Sequence, residues 1–450
     1  MIVKRDYEVE NFIKQKYFTV DIDCGFKAVS ERIDSETDAD RISAACNGSS
    51  AVVKKGEEQS KCVNPPKLYD LTSLQRDANR KFGYTAQQTS DYLQTLYEAA
   101  LTTYPRTDSQ FLTEDMREST LEVISKIREK FTGFALDTAP DISRCINNDK
   151  VTGHHAIIPT SKIENTDIDS LAEGQKNILL LITFRLLCAS SAPHKYISRK
   201  ITLESENNIF TASGKTVTEQ GWKATEKQAF AVLKCSDEDK NGDVAELPDV
   251  SEGKIFENIS AVKTEHWTSP PKPFTEDTLL SAMEHAGAED FDENTEKKAL
   301  GTPATRAKII ETLTDRGYAE RVKKNIVSTE KGRKLISVVP DEVKSPKLTA
   351  DWENQLKQIE TGSYSADEFM NGITAFIQTL CSKYGSADEN TSFAPSSPGK
   401  CPNCHKDISK GKKISLLKHA GRPLPQPAPQ LFCNRLASHV FFSIFRNSFL

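Results

Sequence analysis

Leu101-Thr-Thr-Tyr104-Pro105-Arg106-Thr107-Asp108-Ser109 closes a helical stretch and places a phenol beside a guanidinium, with a helix breaker between them. A tyrosine hydroxyl ordinarily has a pKa near 10, so about a thousandth of it is phenolate at neutral pH. Attack on a phosphodiester by such a group needs a cation that stabilises charge on the phosphate, and Arg106 is placed to supply it. Pro105 fixes its own backbone and pushes Tyr104 toward an extended conformation, so the flanking side chains can be held without a helix around them. Taken alone, Tyr-Pro-Arg better fits a half-buried tyrosine at a strand end, and its surroundings reverse that reading.

Upstream, Thr72-Ser-Leu-Gln75 has the form of a capping box and Gly83 can end that helix, while Thr85-Ala-Gln-Gln88 opens a second one. Two helices about a short glycine turn resemble a helix-turn-helix. The second helix puts Tyr92, Leu93, Leu96 and Tyr97 where they can bury, and it delivers the chain to Tyr104. A further helix is expected after Thr113, supported by Met116, Leu121, Ile124 and Ile127.

Around this helical region lie strand-like stretches. Residues 1–35 alternate in the manner of strands, with Tyr17-Phe-Thr-Val-Asp-Ile and Phe26-Lys-Ala-Val about Gly25; the pattern returns at Lys195–Glu204 and Ile209–Val217. Farther on, Thr302 is a good N-cap with Pro303 at the first helical position, and Ala307, Ile310 and Leu313 form a stripe that ends at Gly317. Tyr318–Ser328 then reads as a short hairpin with Lys323-Lys324 at its turn, which gives a winged-helix shape. Gly301–Ile336 holds nine Lys/Arg against four Asp/Glu, a local excess of five positive charges. Residues 386–400 read as a linker.

Residues 68–109 closely resemble the active-site segment of type IA DNA topoisomerases, particularly the topoisomerase III branch. Three more motifs agree in order and spacing. His154-His155-Ala156-Ile157-Ile158-Pro159-Thr160 looks like the family's His-x-Ala-Ile-x-Pro motif, Pro270-Pro271-Lys272-Pro273-Phe274-Thr275-Glu276 like its Pro-Pro-x-x-Phe-Thr-Glu segment, and Gly301-Thr302-Pro303-Ala304-Thr305-Arg306 like its Gly-x-Pro-[Ser/Thr] helix start. The resemblance covers roughly residues 1–385.

What the resemblance implies is an α+β, multidomain type IA topoisomerase-like core: a strand-rich arch with an inserted helical tyrosine domain, and a winged-helix-like helical domain. The expected segments are 1–24, the N-terminal part of a helical base; 25–63 and 194–264, the two parts of the arch; 64–193, the tyrosine domain; 265–385, the winged-helix-like domain; and 401–450, a partial zinc-ribbon start and irregular tail. The expected chemistry is ATP-independent cleavage, passage and rejoining of one DNA strand through a 5′-phosphotyrosine. Tyr104 is the implied nucleophile, Arg106 steadies the scissile phosphate, and His154 lies near it, able to donate a hydrogen bond in either charge state. Asp108 and Ser109 are read as positioning groups at the turn. Thr107, Ser109, Thr302, Arg306, Lys323 and Lys324 are the expected DNA contacts.

The resemblance also implies Mg²⁺, held in the complete enzyme by a glutamate and an Asp-x-Asp cluster of an N-terminal Toprim domain that faces the tyrosine. Nothing upstream of Tyr7 matches it, so the chain is expected to start inside the family pattern, to lack the metal ligands, and to be inactive alone. The alternatives are a non-catalytic single-stranded DNA-binding remnant or a subunit completed by a separate Toprim chain. Asp21 and Asp23 lie in a strand pattern and are not expected to bind metal. Cys401-Pro-Asn-Cys404 opens like a zinc knuckle, but no second Cys-x-x-Cys follows and zinc is not expected. From Ile414 the chain turns Pro-rich and then apolar, like sequence read in another frame.

Composition sets the bounds. At 450 residues, two or three domains are expected. With 59 Lys+Arg against 64 Asp+Glu the net charge is −5, so contacts to single-stranded DNA must come from local basic patches. Ten scattered cysteines and a start without a signal-peptide core point to a reducing cytoplasm, and no apolar run is long enough for a membrane span. A tyrosine recombinase also forms phosphotyrosine links, but the Arg and His positions it requires at other spacings are missing.

Overall fold

The computed structural model describes residues 1–132, 139–235, 246–286 and 300–384, with two short strands at Ile408–Lys410 and Ser415–Leu417. Residues Lys4–Thr278 form one compact unit, and Met1–Val3 with Leu279–Leu450 the other. Cys401, Cys404 and the linker at 386–400 lie outside the described residues.

In chain order the larger unit contains α1 (Ile2–Glu10), β1 (Lys16–Asp23), β2 (Lys27–Ser30), α2 (Glu36–Cys46), β3 (Ala51–Val63), α3 (Leu71–Phe82), α4 (Ala86–Glu98), α5 (Arg117–Lys130), α6 (Glu173–Ala189), β4 (His194–Ser205), β5 (Asn208–Glu219), α7 (Trp222–Leu233), β6 (Ile255–Phe256), β7 (Ser260–Trp267) and β8 (Phe274–Thr275), and ends in the first residues of α8 (Glu276–Glu284). Seven strands make one sheet in the order β6-β3-β4-β5-β2-β1-β7, each neighbouring pair antiparallel. Alternation drives it: Phe18, Val20 and Ile22 of β1 are buried while the residues between them are not, because successive side chains of a strand face opposite ways. Together with Ala28, Val53, Leu203 and Phe210 they form one core, against which α2 lays Ala39 and Cys46. Two expectations change here. Residues 2–10 are helical rather than strand-like, and β1, placed with the helical base by the expected boundaries, pairs along its length with β7 inside the sheet.

Strands β3 and β4 are adjacent partners, yet residues 64–193 lie between them in sequence, so the helical region is an insertion at one end of a sheet. Its core gathers Leu68, Leu74, Leu93, Leu96, Ile124 and Ile127 around α6, which is apolar on nearly every side from Ile178 to Ala189, the pattern of a central helix. Although α7 follows β5, it packs against α6 and sends Ala229 and Leu233 into this helical core, so it does not belong with the strand-rich segment 194–264. Gly221, just before α7, has φ +52°, and a Cβ there would meet the backbone oxygen of Pro193 at 2.2 Å, so only glycine fits the crossing where the chain leaves and re-enters the insertion. The Trp222 indole N–H donates to Val63 O at 3.1 Å and ties that crossing to the end of β3.

The helix preceding the tyrosine segment starts earlier than its sequence suggests. Asp70, not Thr72, is the N-cap of α3: its carboxylate accepts from Ser73 N at 2.7 Å, and Thr72 is buried within the helix. Gln75 instead reaches the next helix, donating to Ser90 Oγ at 2.9 Å. Gly83 ends α3 with φ 73°, and Thr85 with Gln88 caps α4 as expected.

In the second unit Thr302 caps α9 (Pro303–Asp315) with Pro303 in its first turn, and Ala307 and Ile310 are buried. The hairpin β9 (Ala319–Val322) and β10 (Asn325–Ser328) follows, turning at Lys323 with φ 58°, and leads into α10 (Glu330–Val338). Helices Pro346–Glu360 and Ala366–Tyr384 pack with the Trp352 and Phe376 rings edge to face at 5.8 Å. Among the described residues no helix is long and apolar enough to cross a membrane.

Candidate active site

The segment after α4 folds as extended backbone laid against residues 154–160. Thr103 N donates to Ile158 O at 3.0 Å and Thr160 N to Leu101 O at 3.0 Å, while Ile157 N donates to Tyr69 O at 2.8 Å and Ala156 N to Phe111 O at 2.8 Å. Four short pieces of chain are thereby stitched together without a regular sheet. Thr103 Oγ1 joins them twice, donating to Ala156 O at 3.1 Å and accepting from Ile158 N at 3.0 Å. Thr107 Oγ1 donates to His154 O at 3.0 Å.

These clasps bracket Tyr104. Its half-buried ring lies against the His154 ring, centroids 4.0 Å apart and 32° between planes, and takes the edge of Tyr97 at 5.7 Å and 87°. Tyr97 was expected to bury with Leu93 and Leu96; those two do, but Tyr97 stays 38 % exposed at the end of α4. Pro105 is buried, whereas Arg106, Asp108 and His154 are exposed, so the proline anchors the loop and Arg106, two residues from Tyr104, is open to solvent. Thr107 and Ser109 are buried at 2 % and 5 % exposure. The Ser109 hydroxyl donates to Lys150 O at 2.7 Å, and with Thr107 directed to His154 both side chains shape the loop and present no free hydroxyl to a ligand. A DNA contact through either hydroxyl would have to break the bond it already makes to backbone.

Beneath the loop is a buried polar network. Tyr69 donates to Asp77 Oδ2 at 2.6 Å and accepts from Arg185 Nη2 at 2.8 Å, while Asp77 also pairs with Arg80 and Arg185. Burial pushes the Tyr69 phenol up, with Arg185 opposing, so it stays protonated and can donate. The Pro270–Glu276 motif docks onto the same helices: Glu276 Oε2 accepts from Ala86 N at 3.0 Å in the first turn of α4, and Asp277 pairs with Arg76 at 2.8 Å. A carboxylate at that helix N-terminus also meets the favourable end of the helix dipole. The motif therefore braces the helix pair that delivers Tyr104.

Of the remaining expected DNA contacts, all in the second unit, Thr302 is a helix cap sharing hydrogen bonds with Thr305, and Arg306 is buried at 3 % with Nε donating to Leu300 O at 3.4 Å. Those surroundings give Arg306 a structural place at the start of α9. Lys323 and Lys324 are exposed at the hairpin turn. Arg321 nearby is paired with Glu311 at 2.5 Å. Asp21 is held by Lys27 at 2.7 Å and by the Thr264 hydroxyl at 2.8 Å, and Asp23 accepts from Gly25 N at 2.8 Å, so both carboxylates serve the sheet and its turn. Among the described residues no group of three or more His, Cys, Asp or Glu side chains could hold a metal ion.

A family model described as DNA topoisomerase matches residues 1–371. The chain belongs to the type IA DNA topoisomerase family. Within that family it is topoisomerase III-like: it is 34% identical over 457 residues to DNA topoisomerase 3 of Bacillus licheniformis and 32% identical over 449 residues to that of Bacillus subtilis. Each match covers 93% of this chain, and the chain spans 60% of the length of each relative. The fold is similar to that of full-length topoisomerase I from Thermotoga maritima, with a TM-score of 0.62 at 22% identity over 94% of this chain and 68% of that one. For a type IA topoisomerase sequence, Thr103 is the site residue that motif reading passed over. A hydroxyl-bearing residue directly before the tyrosine was its only signal.

Proposed function

We propose that this chain carries the tyrosine side of a type IA topoisomerase reaction on single-stranded DNA in the cytoplasm, with Tyr104 as nucleophile and Arg106 and His154 as the groups that receive the phosphate. The observation that carries this reading is the 4.0 Å approach of the His154 ring to the Tyr104 ring beside an exposed arginine. Tyr104 Oη attacks the phosphorus, the bond to the 3′ oxygen breaks, and the 5′ phosphate becomes a phosphotyrosine ester. The phenol loses one proton and the departing 3′ oxygen gains one, so the step is balanced without a nucleotide cofactor. Rejoining is the same exchange in reverse, because the ester conserves the bond energy. Arg106, a planar and always charged donor, suits a phosphate better than lysine would.

Mg²⁺ is the metal this family reading carries, and the described residues build no site that fits it. No step above passes through it, and its carboxylate ligands are assigned to a Toprim domain, in the same polypeptide or a partner. Lys323 and Lys324 are the contacts proposed for DNA in the winged-helix-like element.

The test is covalent capture of a labelled single-stranded oligonucleotide by the 450-residue chain with an added topoisomerase III Toprim domain and Mg²⁺. An adduct mapped to the peptide carrying Tyr104, and abolished by Tyr104→Phe while binding stays within a few fold, supports the reading. An adduct on another residue, or a chain that binds no single-stranded DNA, overturns it.

A further inference from the structure

Lys67 and Lys150 approach one phenyl ring. Each ammonium lies 5.3 Å from the centroid of the half-buried Phe111 ring, although the two lysines are far apart in sequence. Both are exposed, and among the described residues neither pairs with a carboxylate. Two like charges held at one ring repel each other, and the ring quadrupole offsets only part of that repulsion. An anion that bridges them would remove the rest.

The backbone at each corner is fixed to the candidate site. Phe111 O accepts from Ala156 N at 2.8 Å, two residues beyond His154, and Ser109 Oγ donates to Lys150 O at 2.7 Å. Lys67 stands two residues before Tyr69, whose carbonyl accepts from Ile157 N at 2.8 Å. The trio is therefore tied by backbone hydrogen bonds to the segments that carry Tyr104 and His154. The two ammonium groups can be no farther apart than twice their distance to the ring centroid, a span that suits neighbouring phosphates of one strand.

We propose that Lys67 and Lys150, spread by Phe111, form a phosphate clamp for the strand segment that remains bonded to Tyr104 after cleavage. This rests on the phosphotyrosine reading above. A 5′-phosphotyrosine leaves the strand running in the 3′ direction away from the tyrosine, and the clamp sits on the same inserted region as Tyr104. It therefore keeps its grip on that segment whatever the other DNA end does, which limits rotation about a single ester bond and keeps the 5′ phosphate aligned for rejoining.

The experiment measures binding of a fluorescent 5′-phosphorylated oligothymidylate to the full chain by anisotropy across a salt series. Each phosphate contact on a single strand contributes about 0.7 to the slope of log affinity against log salt, so Lys67→Ala with Lys150→Ala is expected to lower the slope by about 1.4 and affinity by roughly tenfold at 0.15 M salt. Lys67→Arg with Lys150→Arg should restore both, and Phe111→Leu should weaken binding with a smaller change in slope. A 5-iododeoxyuridine placed second from the 5′ phosphate should cross-link to the peptide carrying Phe111. Unchanged affinity and slope in the double alanine variant, with wild-type binding intact, overturn the clamp and leave the phosphotyrosine reading standing; cross-links confined to other peptides do the same. Absence of single-stranded DNA binding by the wild-type chain overturns both.

Discussion

Thr103 Oγ1 lies between Ala156 O and Ile158 N, at 3.1 and 3.0 Å, and together with the backbone bonds Thr103 N to Ile158 O and Thr160 N to Leu101 O it fixes the register of the tyrosine segment against the histidine segment. Sliding either segment by one residue would break these bonds and reverse which side chains face the solvent. The stacking of His154 on Tyr104 is a consequence of that register.

Thr103→Val keeps the shape and removes the hydroxyl, leaving Ile158 N without its acceptor, while Ala156 O keeps the His155 ring nitrogen at 2.9 Å. The expected cost is about 1–3 kcal/mol in urea unfolding. Thr103→Ser should recover most of it. In the capture assay with a Toprim domain, the valine variant should form the Tyr104 adduct more slowly while oligonucleotide affinity stays close to wild type; a parallel loss of both would mean the segment had merely unfolded.

His154→Ala removes a ring that touches Tyr104 without removing a core residue, since His154 is exposed. Adduct formation should fall on the order of 10²-fold, the usual effect of deleting one aligned donor to a reacting centre. Thermal stability should hardly move. A variant that cleaves at the wild-type rate would remove His154 from the mechanism.

Asp77 is the hub of the buried network, paired with Arg185 and Arg80 and accepting from Tyr69. Asp77→Ala leaves Arg185 without its buried partner and should cost about 3–5 kcal/mol, whereas Tyr69→Phe loses the hydrogen bonds to Asp77 and from Arg185 and should cost at least about 1.5–3 kcal/mol. In the double variant the two costs should not add fully, because the Tyr69–Asp77 bond is already gone when Asp77 is absent while the Arg185–Tyr69 bond is not. Additivity would show that the network is not coupled.

Burial works against the ionised Asp21 carboxylate, but hydrogen bonds from Lys27 and Thr264 outweigh it and hold Asp21 below the usual carboxylate range. A depressed folded-state value means that the stabilisation is full above the unfolded value, near 3.9, and is lost as pH falls through the lower folded value. Asp21→Asn should therefore lower stability at neutral pH and flatten the acid limb of the stability curve. An unchanged acid limb by thermal melting between pH 2 and pH 6 would contradict this.

Gly221→Ala places a Cβ at 2.2 Å from Pro193 O on a residue with φ +52°, and the obstacle is backbone that cannot rotate away. A loss of about 1–3 kcal/mol is expected, and Trp222 fluorescence should report the disturbed junction.

The motifs about Tyr104, His154, Pro270 and Gly301 sufficed for the family, because short-range patterns of turn residues and apolar spacing are local properties of the chain. Alternation at Phe18, Val20 and Ile22 and the cap at Thr302 were legible for the same reason. Tertiary structure decided what depends on partners remote in sequence. Burial of Thr107, Ser109 and Arg306 follows from carbonyls or backbone that fold over them. The start of α3 passed from Thr72 to Asp70 because the aspartate meets Ser73 N, while Gln75 found a neighbour on α4. The helix α7 left the strand-rich segment for the helical core because Ala229 and Leu233 bury there. Tyr104 itself illustrates the division: its chemistry is written in one residue and its neighbours, but its contact with His154 exists only once the hydrogen bonds that Thr160 N donates to Leu101 O and Thr103 N to Ile158 O have set two distant segments side by side.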